Sequence, residues 1–448
     1  MKVGQKRRWK IFMVAGATMA LVAGMVSTVP SVYAGGMIKV DDDKWISVGM
    51  GIRTSFNSQE NASPNGQAYD NIFAVNNARI YINGKIHKYV GFTFNTECFN
   101  CADPNGRFGG TNTFAGNSNI GLIDAIGKFE FNQYVNFWVG RTLVPTERGE
   151  LNGPFYHSVF DGFRTPFFPN DQSANFGRSN AANDGAGLYG RDNGAVFFGK
   201  FHPGGTHLLY VASVFTGQNG GPNTGSSLMY AGRLQWNLLN DEDNPGYYTS
   251  GTYYGTAGDI LALAVGGSHQ KDGVGTAITR NDFNGITADV LFEKVLPGDM
   301  GVFTFNGEFK RFWAQNVSSF SDGTLAGGTG LTTPCGCGAA NLPSPGMWVL
   351  NGKSWYVEGL YLFPQPIGIG RFQPYGRYTN IAPLDSTDRH EWELGTNYVI
   401  EGHNARLSAF WRHGDIATKG FVGGPGVFAP GRQGDVVNSF LVGLQMQY

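Results

Sequence analysis

Phe440 to Tyr448 reads F-L-V-G-L-Q-M-Q-Y, and its side chains alternate in character. Counting back from Tyr448, the residues Tyr448, Met446, Leu444, Val442 and Phe440 are apolar, while Gln447, Gln445, Gly443 and Ser439 between them are polar or small. A period of two marks a strand with one apolar face. A strand that closes on an aromatic residue needs somewhere to put that apolar row and partners for both of its edges. A barrel closed within a lipid bilayer supplies both, because closure removes edges and lipid accepts the apolar face.

The same grammar recurs along the chain. In Trp45 to Phe56, Ile46, Val48, Met50 and Ile52 alternate with Ser47, Gly49, Gly51 and Arg53. Ala78 to Ile86 and the stretch from Val90 follow suit. Further strands are expected near 120–131, 134–143, 192–201, 207–215, 229–239, 259–269, 282–293, 300–313, 353–364, 370–380, 389–401, 404–413 and 436–448, which makes sixteen. An even count of strands about ten residues long suits a tilted antiparallel barrel that crosses a hydrocarbon layer. Tight turns such as Asn132-Gln133 and Gly402-His403 fall on one side, and long connections at 98–119, 144–190, 314–352 and 414–435 on the other. Arg141 falls on the lipid parity of its strand unless it lies at the rim or a bulge intervenes. The fold class expected is therefore all-β, a 16-stranded antiparallel transmembrane barrel. The last strand should pair with the first, Trp45 to Phe56.

Composition agrees. The 448 residues include 67 glycines, aromatics are 14%, charged residues only 15%, and the hydrophobic fraction is 41%. A soluble sandwich or propeller would carry more charge on its outward parity. Residues 1–34 read as a signal peptide: Lys2, Lys6, Arg7, Arg8 and Lys10 precede an uncharged, mostly apolar run from Ile11 to Val29, and Val32-Tyr33-Ala34 suits cleavage. Residues 35–448 then form the barrel. Removing five basic residues from a chain of net charge −1 leaves −6, and no basic stripe points to nucleic acid.

Three stretches resemble the phosphate-selective porin O and P family: N-N-A-R-I-Y-I-N-G-K-I-H-K-Y-V-G-F-T-F-N-T-E at 76–97, I-D-A-I-G at 123–127 followed by V-G-R-T-L-V-P-T-E-R-G-E-L at 139–151, and F-Q-P-Y-G-R-Y at 372–378. The resemblance implies a homotrimeric outer-membrane channel whose third extracellular loop, here about 144–190, folds inward as a constriction. That loop would present Glu147, Arg148, Glu150, His157, Asp161 and Arg164. The aromatic C-terminus is similar to the signal by which barrel-assembly machinery accepts its clients. The location implied is the outer membrane of a Gram-negative-type bacterium, in contact with lipid and lipopolysaccharide.

Strand parity puts both signs of charge toward the lumen. Arg53, Arg79, Lys85, Lys128, Arg233, Lys310, Arg371, Arg377 and Arg406 are expected to line the pore together with Glu130, Glu308, Glu391 and Glu393, and Lys200, Arg412, Glu97, Asp124, Asp289, Glu293 and Glu358 share their parity. Strong ion selection needs a ring of one sign, so the family's phosphate selectivity does not carry over with the fold. The function expected is diffusion of small hydrophilic solutes or ions, anions such as phosphate among them. The alternative is a barrel that serves as scaffold or sheath for a partner such as an electron-transfer cytochrome.

Other chemistry finds little support. Cys98, Cys101, Cys335 and Cys337 lie in expected extracellular loops. Export makes disulfides the default for them, within each pair or between the loops; zinc ligation is the weaker alternative, given the Cys-x-Cys spacing. Ala102 after Cys101 excludes the haem-attachment motif. Gly185-Ala-Gly187-Leu-Tyr-Gly190 matches G-x-G-x-x-G without a βαβ context. His87, His202 and His403 read as solvated turn residues, and Ser268 and His269, adjacent in sequence, face opposite sides of a strand. No cofactor, metal or enzymatic activity is expected.

Overall fold

The computed structural model describes residues 36–63, 67–99, 119–162, 190–217, 223–275, 280–313, 352–383, 388–416 and 435–448. The expected signal peptide, residues 1–34, lies outside them. Seventeen strands follow in order: β1 (Gly36–Asp41), β2 (Lys44–Gln59), β3 (Asp70–His87), β4 (Val90–Phe99), β5 (Asn119–Glu130), β6 (Asn136–Leu143), β7 (Arg191–Phe201), β8 (His207–Phe215), β9 (Met229–Asn237), β10 (Ile260–Gly275), β11 (Arg280–Val295), β12 (Val302–Trp313), β13 (Gly352–Leu362), β14 (Arg371–Pro383), β15 (Arg389–Glu401), β16 (Ala405–Gly414) and β17 (Val437–Gln447). Each strand from β2 to β17 pairs antiparallel with the next, and β17 pairs with β2, so sixteen strands close into a barrel.

The closing seam runs from Ser439 opposite Gln59 to Gln447 opposite Gly51. Tyr448 and Met50 then exchange backbone hydrogen bonds of 2.7 and 2.8 Å. The residues ahead of the first expected strand are in part a strand too. β1 pairs with the start of β2 from Gly36 opposite Val48 to Asp41 opposite Lys44, along the edge that β17 vacates.

The barrel is inside out relative to a soluble protein. On β17, Phe440, Val442 and Met446 are 49%, 54% and 46% exposed, whereas Gln445 and Gln447 are 0% and 6%. An apolar outer face over a polar interior is what a lipid environment selects. Rings gather toward both ends of that face: Tyr134, Phe201 and Tyr210 near the tight turns, with centroids 5.5 and 5.7 Å apart, and Trp355, Tyr378 and Trp392 near the long loops, at 5.3 and 4.6 Å. The aromatic girdles of membrane barrels occupy these two levels.

Arg141 resolves through its neighbour. Gly140 has φ of +127°, a conformation that side chains other than hydrogen resist, and past it Arg141 is buried. Leu441, although on the inward parity of β17, is also buried, packed with Val159, Phe160, Leu360, Tyr375 and Phe410. An apolar cluster on the inner wall means that something apolar lies within the barrel.

Candidate functional site within the barrel

Among the described residues, two segments occupy the interior. The first leaves β6 and is described over residues 144–162, with a short helix α1 (Arg148–Asn152). The Thr146 carbonyl accepts from Arg233 (3.2 Å) and Thr287 (2.7 Å), and Glu308 accepts from the Gly149 amide at 2.8 Å. Gln445 donates to the Phe155 carbonyl (2.8 Å), Asn397 to that of Ser158 (2.9 Å), and Arg377 to that of Asp161 (2.7 Å). Arg406 donates to the carbonyls of His157 (2.8 Å) and Ser158 (3.1 Å), and Arg53 to that of Phe160, whose ring its guanidinium covers at 4.1 Å. The segment thus touches strands from β9 round to β2, on the wall opposite its origin. Glycines clear the way for its rings. A β-carbon on Gly51 would come within 2.8 Å of the Phe155 ring, and one on Gly443 within 2.5 Å of Phe160.

The second segment, residues 238–259, joins β9 to β10 at the end that holds the tight turns and Tyr448. Sequence reading passes over it as one more connection on the side of tight turns. Its base is laddered by Leu238 to Leu261 (2.8 Å) and Asn240 to Asp259 (3.1 Å); between them the chain folds into the barrel and meets the first segment. Arg148 reaches Glu242 at 2.7 and 2.8 Å, the Ser250 carbonyl at 2.9 Å and Asp289 at 3.1 Å. Thr249 donates to Asn152 (2.6 Å), and the Gly251 amide to the Tyr156 carbonyl (2.9 Å). Tyr247 donates to the Leu143 carbonyl at 2.7 Å and packs 5.4 Å from the Trp138 ring. With Leu151, Val144, Ile126, Phe198 and Val211, these two rings belong to a single buried cluster.

His403 departs from expectation. It sits in the β15–β16 turn, but its ring points inward, with Nε2 2.9 Å from the Thr252 carbonyl and 3.0 Å from the Ser250 hydroxyl, and packs against Tyr156 and Tyr254. Burial, reinforced by Arg406, lowers its pKa to about 3, so the ring is neutral and donates to Thr252 from Nε2. His157 is likewise held well below the ordinary histidine value, by burial first and then by Arg53, Arg377 and Arg406.

Most of the charges expected to face inward are buried and engaged. Arg79 pairs with Glu97 at 2.5 Å, Arg233 with Asp289 at 2.5 Å, and Arg377 with Glu393 at 2.8 Å. Arg412 binds Glu393 (2.6 Å), Asp161 (2.7 Å) and Glu391 (3.5 Å). Lys310 pairs with Glu147 and lies 3.8 Å from Glu308. Burial raises the pKa of Glu147 to about 7 against the opposing pull of Lys310.

Others remain nearer to solvent. Lys128 lies over the Trp138 ring at 4.2 Å, and exposed Glu130 accepts from the Trp138 indole at 3.1 Å. Lys85 is half-buried, 3.8 Å from Asp43, and Arg371 and Glu150 are half-buried. Arg164 lies outside the described residues, as do Cys101, Cys335 and Cys337; Cys98 is disulfide-bonded. The reading of charge parity omitted Glu242, hidden in the polar run N-D-E-D-N-P-G, and Arg191, which holds Asp124 at 2.5 Å.

No protein-family model matches the chain, and no curated protein does. Solved structures do. An anion-selective porin from Comamonas acidovorans is 13% identical, with 90% of this chain covering 99% of that one at a TM-score of 0.52. OmpF of Salmonella typhi in complex with daunomycin is 9% identical over 92% of this chain and 100% of its own, with a TM-score of 0.50. OprB of Pseudomonas putida is 10% identical over 90% and 94%, also at 0.50. At such identities the likeness is one of fold, that of outer-membrane porins.

Proposed function

We propose that this chain is a porin, a channel through which small hydrophilic solutes diffuse across the outer membrane of a Gram-negative-type bacterium, after removal of residues 1–34. The observation that carries this reading is a closed barrel with an apolar outer face, a polar inner face and the 144–162 segment laid across its interior. In this reading the turn end faces the periplasm, the long loops face outward, and residues 144–190 set the eyelet. Membership of the phosphate-selective porin O and P family, a homotrimeric state, contact with lipopolysaccharide and assembly by the barrel-assembly machinery belong to the same proposal.

Selectivity follows from the charges. Arg53 and Arg406 grip carbonyl groups, and Arg79, Arg233, Arg377 and Arg412 face carboxylates. A wall whose charges neutralise each other sorts solutes by size and dipole more than by sign, which weakens the case for phosphate specificity. A sheath around a partner would need a wide lumen, so the two internal segments favour the channel over that alternative. No chemical step is required.

Purified protein in planar bilayers tests the proposal. Discrete conductance steps are expected, in groups of three for a trimer, with a small reversal potential in asymmetric KCl and little competition by phosphate. A silent bilayer with folded, heat-modifiable protein would sink the channel reading.

A further inference from the structure

Porin barrels take their name from an open interior, yet here the turn-end connection between β9 and β10 is itself packed inside. Several independent contacts hold it there. Glu242 accepts from Arg148, from Gln235 at 3.0 Å and from the Tyr253 hydroxyl at 2.7 Å. Glu293 on β11 accepts from the Thr252 hydroxyl at 2.7 Å and from the amides of Tyr253 at 3.0 Å and Gly255 at 2.8 Å. Asn306 on β12 donates to the Gly251 carbonyl at 2.8 Å. Tyr247, Thr252 and Ser250 are buried. A surface turn would not satisfy its backbone groups against the inner wall in this way.

The two segments divide the interior unevenly. On β11 to β16, the inward side chains Asp289, Glu308, Glu358, Arg377, Glu393 and Arg406 are buried. On β3 to β5, Tyr81, Asn83, Asn95 and Lys128 on the same parity are half-exposed, and Tyr156 of the first segment is 40% exposed. Among the described residues the β3–β5 wall is therefore open in part, with Arg79, Thr93, Glu97 and Asp124 buried beside the half-exposed side chains, while the β11–β16 wall is covered.

We propose that residues 238–259 are a second constriction element, entering from the turn end and interlocking with 144–162 so that solutes pass only along the β3–β5 side, past Tyr81, Asn83, Asn95, Lys128 and Tyr156. The inference rests on the channel reading and adds to it a path and an element that sets it. The path wall is amide, phenol and ammonium, with the Glu130 carboxylate exposed on the parity of Lys128, so it sorts polar solutes by size more than by sign.

Because Asn240 and Asp259 form the last rung of the β9–β10 ladder, replacing 241–258 by Asn-Gly gives a two-residue hairpin of the preferred type. In planar bilayers the full-length variant should conduct about threefold more than the parent, as expected when pore geometry controls flow. Larger polyethylene glycols should enter it from the turn-end side but not from the loop-end side. A second variant, Asn83→Asp, keeps the shape of a half-exposed side chain and should move the reversal potential toward cations. Equal, non-zero conductance of parent and hairpin variant, or an unmoved potential in Asn83→Asp, overturns the inference and leaves the channel standing. Silence of the folded parent and of both folded variants overturns the channel reading itself, and this inference with it.

Discussion

Arg148 and Glu242, 94 residues apart in sequence, meet in a two-pronged ion pair of 2.7 and 2.8 Å, each side chain almost wholly buried. Through that pair a segment that leaves one end of the barrel holds a segment that enters from the other. Buried charges are costly to leave alone, so the pair makes the two segments interdependent. Asp289 adds a further carboxylate at 3.1 Å from Arg148 but is shared with Arg233.

Glu242→Ala leaves the Arg148 guanidinium with only the shared Asp289 carboxylate to balance its charge, beside the Ser250 carbonyl. The expected cost is about 3 kcal/mol, typical of breaking a buried pair from one side. Urea unfolding in lipid vesicles measures it, and proteolysis of the 144–162 segment should accelerate in parallel while the strands stay protected.

Glu147 gives the anchor of the first segment a pH dependence. Its folded pKa of about 7 lies above the ordinary 4.5, so between those values the folded chain keeps a proton that the unfolded chain releases. Its contribution to stability is complete below 4.5 and is lost as pH rises to about 7. Hydrogen exchange of residues 144–152 should therefore quicken across that window, and Glu147→Gln should flatten the slope.

Gly443→Val places a branched side chain where a β-carbon alone would stand 2.5 Å from the Phe160 ring. Overpacking costs about 1–3 kcal/mol, and here the neighbour that yields is the loop. Conductance noise should rise while heat-modifiable migration of the barrel persists.

Deletion of Tyr448 removes both backbone bonds to Met50 and the terminal ring of the seam. Assembled protein in the membrane should fall more than the single-channel conductance of whatever assembles. Quantifying heat-modifiable protein beside bilayer recordings separates the two effects.

Much of the barrel was legible because strand parity is local. Every second side chain faces lipid, so Val442 and Met446 declare their surroundings from neighbours two residues away. Gly443 was legible as inward but not as clearance for Phe160. Arg141 could be flagged as out of parity but not resolved, because the remedy lies in the backbone angle of Gly140. His403, read as a solvated turn residue, turned out to point inward, since nothing local announces that Ser250 and Thr252 will be waiting there.

The sequence by itself determined an all-antiparallel barrel, its outer and inner faces and the strand that closes it, since each follows from a period of two repeated strand by strand. Only the tertiary structure decided which inward charges neutralise one another and what fills the interior. Arg148 with Glu242, Arg53 with the Phe160 carbonyl and His403 with Thr252 are contacts across a lumen, fixed by where a closed sheet carries distant segments. No local pattern encodes a distance across a barrel.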